Sequence, residues 1–224
     1  MEIIDEKKIL HFQAKLLAWF RIAGREFRWR QNKLSPYEYI IAEVLLQRTK
    51  AATAAAFYDT FLASYSNWDA IDRESLPALT SFMKPIGLQQ QRAGRLKNLA
   101  AEMVRRKGRL PRDRKKLEKV PFMGQYLANA VELVIFKRNT PLMDVNMARV
   151  LERYFGPRKL ADIRYDPYLQ NLGAIVARHK KSRYVSWAIL DFAALICQAR
   201  KPRCEVCMLQ KNCRFYLLNE AIDF

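Results

Sequence analysis

Four cysteines, Cys197, Cys204, Cys207 and Cys213, fall within one 17-residue window of a 224-residue chain, and none occurs in the preceding 196 residues. The spacing is C-x6-C-x2-C-x5-C, so four thiols must gather on one short segment. In a reducing compartment such a cluster is more often a metal site than a pair of disulfides, because glutathione keeps structural disulfides rare there. Two ligand sets stay open on spacing alone. Structural zinc usually takes two separated C-x2-C knuckles, whereas a single C-x2-C pair flanked by longer arms is a pattern that an iron-sulfur cluster tolerates.

The rest of the chain reads as helix. It holds only 7 glycines, and no stretch is Gly/Ser-rich or of low complexity. Ile9, Phe12, Leu16 and Phe20 recur at helical spacing between Asp5 and Ile22. Ser35-Pro36-Tyr37-Glu38 combines an N-cap serine, a proline at the first helical position and a capping-box glutamate, which predicts a helix running to about Thr49. Further helices are expected at about 51–65, 74–83, 89–107, 114–119, 125–137 and 145–155. Two more follow, Pro167 to His179 capped by Asp166 and Arg183 to Ile196 capped by Ser182. There is no convincing β-alternation and no repeat period typical of a solenoid, so the expected fold class is all-α.

Charge narrows the partner. Forty Lys and Arg stand against 22 Asp and Glu, a net +18, which points to a polyanion and first to nucleic acid. The longest apolar stretch near the C-terminus, Ser186 to Cys197, is broken by Asp191 and too short to span a bilayer. The opening residues, MEIIDEKKIL, show no uninterrupted apolar region or small-residue cleavage site. A cytoplasmic protein, neither secreted nor membrane-bound, is therefore expected. Basic residues concentrate between Arg105 and Lys119, where nine of fifteen are Arg or Lys. Such a run is commonly a solvated face, but its position just before Val120 favours phosphate contact.

Val120-Pro121-Phe122-Met123-Gly124-Gln125-Tyr126-Leu127-Ala128 looks like the hairpin of a helix-hairpin-helix motif, a tight turn that offers backbone N–H groups to a DNA phosphate. Asp144 follows eighteen residues after Tyr126, in Met143-Asp144-Val145-Asn146-Met147-Ala148-Arg149-Val150, and the cysteines lie downstream. With these features together, from about Phe27 to Cys213, the sequence resembles the helix-hairpin-helix DNA glycosylases of the endonuclease III superfamily that carry an iron-sulfur cluster. The resemblance implies two helical domains with a DNA-binding cleft between them. One is a six-helix barrel over 30–135, with its helix-hairpin-helix near 114–130; the other is an iron-sulfur domain made of 1–29 and 136–224, with the cluster loop at 197–213. It further implies a [4Fe-4S] cluster on Cys197, Cys204, Cys207 and Cys213, with structural zinc as the alternative. The implied partner is double-stranded DNA with a mispaired or damaged base, bound by a monomer. Two residues depart from the family pattern. Phe122 fills a position that is usually glycine, so the loop is not expected to use φ > 0 freely there, and Leu127 stands where a threonine is usual.

Removing a base from DNA requires extruding it from the stack, stabilising positive charge on the sugar and activating the leaving base or a water. The resemblance places Asp144 on the sugar side, as a carboxylate facing the developing charge, with Asn146 as a supporting amide. As a residue, Asp144 is also an ordinary helix N-cap, and the two roles are compatible. Glu43 is one acid in the apolar run Ile40 to Leu46; burial against a pocket would raise its proton affinity and suit a proton donor. In the family register it is a pocket glutamate for catalysis or base recognition. Tyr126 occupies the place where strand-cleaving members carry a nucleophilic lysine, which disfavours lyase chemistry. Gln47-Arg48-Thr49 matches the segment that enters the stack, Leu88 and Gln89 match the wedge loop, and Met123, Gly124 and Gln125 belong to the hairpin. The short Gly87-Leu88-Gln89 loop, Tyr126 and the eleven residues after Cys213 look most like the thymine/uracil mismatch glycosylases, which act without strand cleavage. Adenine removal opposite guanine or oxidised guanine is the alternative within the family. A metal-containing DNA-binding protein without catalysis is the alternative outside it, suggested by Phe122.

Overall fold

The structure is a computed structural model that describes residues 5–220. Among these residues there is no β-strand, and no helix is long and apolar enough to cross a membrane. The chain divides into two compact units, Glu26–Val131 and a second made of Met1–Arg25 with Glu132–Phe224.

Helix α1 (Glu6–Ala23) starts where Asp5 accepts the Lys7 N–H at 2.9 Å, and it buries Ile9, Phe12, Gln13 and Leu16 on one face. In the unit 26–131, a 3-10 turn (Arg28–Arg30) precedes α2 (Pro36–Leu46). The capping box forms as the sequence predicts: the Ser35 hydroxyl accepts from the Glu38 N–H, and Glu38 accepts from the Ser35 N–H at 2.8 Å. From Tyr37 to Leu45 every residue of α2 except Glu38 is buried, which makes it the central helix of the unit. It ends at Leu46 rather than near Thr49, because Gln47 is extended and Arg48 adopts φ +53°.

Helix α3 (Ala51–Ser64) packs on α2. A short helix that was not expected, α4 (Trp68–Arg73), precedes α5 (Leu76–Phe82), which is the helix expected at 74–83. The Asn67 and Ser75 side chains cap them in turn, accepting from the N–H groups of Ala70 and Ala78, and Glu74 between them is extended. Both lie against α6 (Gln89–Arg105). The basic run then contributes only a single turn, α7 (Arg114–Leu117), before α8 (Gln125–Ala130) passes into a π-helical turn over Val131–Ile135.

In the second unit the helices are α9 (Val145–Phe155), α10 (Pro167–Ala177), α11 (Ser182–Leu195) and α12 (Arg214–Glu220). Helix α11 packs against α1, α9 and α10. Ser182 was expected as its cap but lies inside the helix and is buried, with Lys181 at the cap position and no side-chain cap bond. Asp166 caps α10 as expected, accepting the Leu169 N–H at 2.7 Å, and also takes the N–H groups of Lys159 and Leu160 at 2.8 Å each. Asp191, the acid that interrupts the apolar run, is fully buried. It receives the Arg25 main-chain N–H at 2.7 Å and the guanidinium through Nε at 2.8 Å and Nη2 at 2.7 Å. This pair fastens the end of α1 to α11. Replacing Asp191 by alanine strips both groups of Arg25 of this acceptor, and the expected loss is about 2–4 kcal/mol of unfolding free energy, read from a lowered denaturant midpoint at unchanged slope.

Candidate functional site

Asp144 terminates an extended segment and caps α9. Its Oδ1 accepts the N–H groups of Asn146 (2.9 Å) and Met147 (2.8 Å), and its Oδ2 accepts the Asn146 side-chain amide at 2.7 Å. Three donors therefore fix the plane of a half-buried carboxylate at a helix N-terminus, where the dipole favours negative charge. The contacts continue into the cysteine segment. The Asn146 side-chain Oδ1 accepts from Arg149 Nη1 at 3.1 Å, and Arg149 donates through Nε to the Cys197 main-chain carbonyl and through Nη2 to the Ala193 main-chain carbonyl, both at 3.0 Å. Arg149 and its links were not read from the sequence; the i, i+3 spacing from Asn146 was the available signal.

The four cysteines, all half-buried, line one small apolar cavity together with Tyr154, Phe192, Ile196, Leu209 and Phe215 among others. Arg153 donates to Cys197 Sγ at 3.4 Å and lies over the Phe215 ring, 4.8 Å from its centroid. Burial pushes the Cys207 thiol up to about 11 and also raises Cys204 and Cys213, which favours the protonated form of these three. Among the described residues no three Cys, His, Asp or Glu side chains converge closely enough to hold a single ion. Four thiols around one cavity supply the sulfur donors that a metal centre needs.

In the unit 26–131, Glu43 is buried on α2 at 4% exposure. Its Oε1 accepts the hydroxyl proton of Tyr39, also on α2, at 2.7 Å. Burial raises the Tyr39 phenol well above its ordinary value, and the charge of Glu43 and the neighbouring Tyr126 add to the rise, while Arg30 opposes it. Glu43 and Tyr126 therefore lie about one phenol, and Tyr39 is a member of the group that sequence reasoning missed. Its i, i+4 spacing to Glu43 was the readable signal.

A second constellation in this unit gathers residues from three distant segments. Gln47, Arg48, Leu88, Gln91, Arg92, Arg95 and Phe122 line a polar recess of about 790 Å³ that opens to solvent. Three of these are non-glycine residues with positive φ: Arg48 (+53°), Leu88 (+50°) and Phe122 (+70°). Such strain persists where surrounding structure imposes it, and it gathers at functional sites. The expectation that Phe122 keeps the hairpin out of φ > 0 is thus overturned. Pro121 and Phe122 occupy the two central positions of a turn closed by the Met123 N–H on the Val120 carbonyl at 3.0 Å, and the Arg95 guanidinium sits 5.5 Å from the Phe122 ring centroid. Gln89 begins α6 half-buried. Met123 is only 1% exposed, so its side chain belongs to the core, and Leu127 is packed there as well. Gly124 is exposed with φ −65°, and a Cβ added there would meet nothing within 4 Å.

Buried Arg92 holds the rim of this recess. Its guanidinium donates to the Leu45 carbonyl at 3.1 Å, to the Gln47 carbonyl and to the Thr49 hydroxyl.

Residues 41–165 match the family described as "HhH-GPD superfamily base excision DNA repair protein". A thymine/uracil-DNA glycosylase of Methanothermobacter thermautotrophicus is 34% identical over 218 residues, covering 96% of this chain and 98% of that one. A thymine-DNA glycosylase of Aeropyrum pernix is 32% identical over 221 residues, covering 96% of this chain and 99% of its own. Among solved structures, that of a thermostable thymine-DNA glycosylase superposes with a TM-score of 0.87 at 33% identity, over 95% of this chain and 98% of the other.

Substituting Arg92 by methionine keeps much of the side-chain length and removes the donors. The expected result is a loss of about 2–4 kcal/mol in stability and faster amide exchange confined to residues 45–49; unchanged exchange there would show that Arg92 does not hold the segment.

Proposed function

The chain belongs to the HhH-GPD superfamily of base excision DNA repair proteins, and we propose that it is a monofunctional DNA glycosylase that hydrolyses the N-glycosidic bond of thymine or uracil mispaired with guanine. The observation that carries this reading is the Asp144 carboxylate, fixed by three N–H donors at the start of α9. A rigid anion needs no reorganisation when positive charge develops on a deoxyribose, which is where electrostatic catalysis is most effective. As the bond between sugar and base breaks, its electron pair leaves with the base. Water adds to the sugar carbon, and its proton passes to the Asp144 side of the reaction. Asn146 holds the orientation of that carboxylate. Glu43 serves the base, as hydrogen-bond partner or proton donor from a buried position. Tyr126 offers no amine to form a Schiff base, so the strand is left intact.

The same reading assigns the recess around Gln47, Arg48 and Leu88, with Gln89 beside it, to the wedge and plug that replace an everted base. Gly124 and Gln125 take a phosphate at the hairpin, where the absence of a Cβ permits close approach. Arg109, Arg112, Lys115, Lys116 and Lys119 are exposed along the basic run, and Arg200, Lys201, Arg203 and Lys211 are exposed in the cysteine segment. They supply the counterion-releasing contacts with duplex DNA. The protein acts as a monomer on duplex DNA in the cytoplasm, at the nucleoid if its source is prokaryotic. Cys197, Cys204, Cys207 and Cys213 hold a [4Fe-4S] cluster, whose work is to cross-link residues 197–213.

A panel of duplexes with defined mispairs and lesions tests the activity. Base release from G·T and G·U is expected, with strand breaks only after alkali, and Asp144→Asn is expected to lose nearly all of it. Release of adenine opposite guanine or oxidised guanine in place of thymine and uracil would overturn the substrate, and activity surviving in Asp144→Asn would overturn the role of Asp144. For the metal, protein purified without oxygen is expected to be brown, with broad visible absorbance and iron and sulfide in equal amounts; a colourless zinc protein would overturn the cluster.

A further inference from the structure

We infer that Tyr39 is a positioning residue for Glu43, fixing the carboxyl through Oε1 so that any proton the acid carries sits on Oε2. This role rests on the reading of Glu43 as the base-side carboxyl. The two residues are four apart on α2, so their side chains lie on the same helix face. Both are buried, Tyr39 at 1% exposure and Glu43 at 4%, and the phenol donates to Oε1 at 2.7 Å. Water does not compete for a bond in that environment. An oxygen already accepting the phenol's proton is the poorer site for one of its own, so the two carboxyl oxygens are no longer equivalent.

The bond also biases protonation. The charge of Glu43 and its hydrogen bond both raise the phenol of Tyr39, and by reciprocity the same interaction stabilises the ionised carboxyl. Tyr39 itself stays a donor throughout the working range, because its proton is held well above the ordinary value. Besides Glu43, two titratable groups from other elements act on the Tyr39 phenol: Arg30 from the turn Arg28–Arg30, and Tyr126 from α8. On α3 the nearest phenol, Tyr58, donates to the Glu38 carbonyl at 2.9 Å instead, on the first turn of α2. Removing the Tyr39 hydroxyl therefore withdraws a donor from the ionised form and raises the pH at which Glu43 changes charge.

The experiment measures single-turnover base release from a G·U duplex against pH for the full chain, Tyr39→Phe, Glu43→Gln and the double variant. The limb of the profile that Glu43→Gln abolishes is expected to move to higher pH by about one unit in Tyr39→Phe. In the Glu43→Gln background, the Tyr39 change is expected to alter the rate by less than about twofold. An unmoved limb, or the same fold loss in both backgrounds, overturns the positioning role. A Glu43→Gln protein with the parent's rate and profile removes the reading of Glu43 itself and with it the role of Tyr39. Should Tyr39→Phe fail to fold, Tyr39→3-fluorotyrosine keeps the bond with a stronger donor and is expected to move the limb to lower pH; no movement overturns the proposal equally.

Discussion

A single buried guanidinium decides where the central helix of the unit 26–131 stops. Helix α2 has the composition to continue, but Arg92 takes the Leu45 and Gln47 carbonyls and the Thr49 hydroxyl. A carbonyl spent on a side chain from another helix accepts less well from the N–H four residues on, so the chain turns at Gln47 and Arg48 enters the left-handed region. From this follow the rim of the polar recess and the exposure of Arg48. The register of the helix that carries Tyr39 and Glu43 is fixed by its capping box at one end and by Arg92 at the other.

The two carboxylates assigned to the chemistry are prepared in opposite ways. Asp144 stands at a helix N-terminus, its charge met by backbone and amide N–H groups. Glu43 sits in the middle of an apolar helix and is met by one phenol at 2.7 Å. Environments that differ this much are the physical ground on which the proposed function gives two chemically similar acids different roles. The family and the relatives at 34% and 32% identity set the reaction class, while the local hydrogen bonds distinguish the acids within it.

Legibility from sequence followed the range of the forces involved. The Ser35–Glu38 capping box, the Asp144 and Asp166 caps and the all-helical class are local matters of cap chemistry and periodicity, and each was readable. The end of α2 was not, because the residue that stops it lies 47 positions from the carbonyl it takes. Helix α4 went unread because six residues are too few to show a period, and the passage of α8 into a π-turn left no mark in composition. Of the candidate site residues, Asp144, Asn146 and Glu43 stand where hydrogen bonds can orient them, but Tyr39 and Arg149 were invisible as partners until the helices brought their side chains into place.

Arg48, Leu88 and Phe122 share one recess and a backbone conformation that L-residues disfavour, each held at roughly 1–3 kcal/mol of local strain. Glycine at any of the three would relax the chain. It would also remove the bulky guanidinium, isobutyl and phenyl groups that the recess presents. The strain is thus the cost of presenting three large side chains where an unstrained chain would present none.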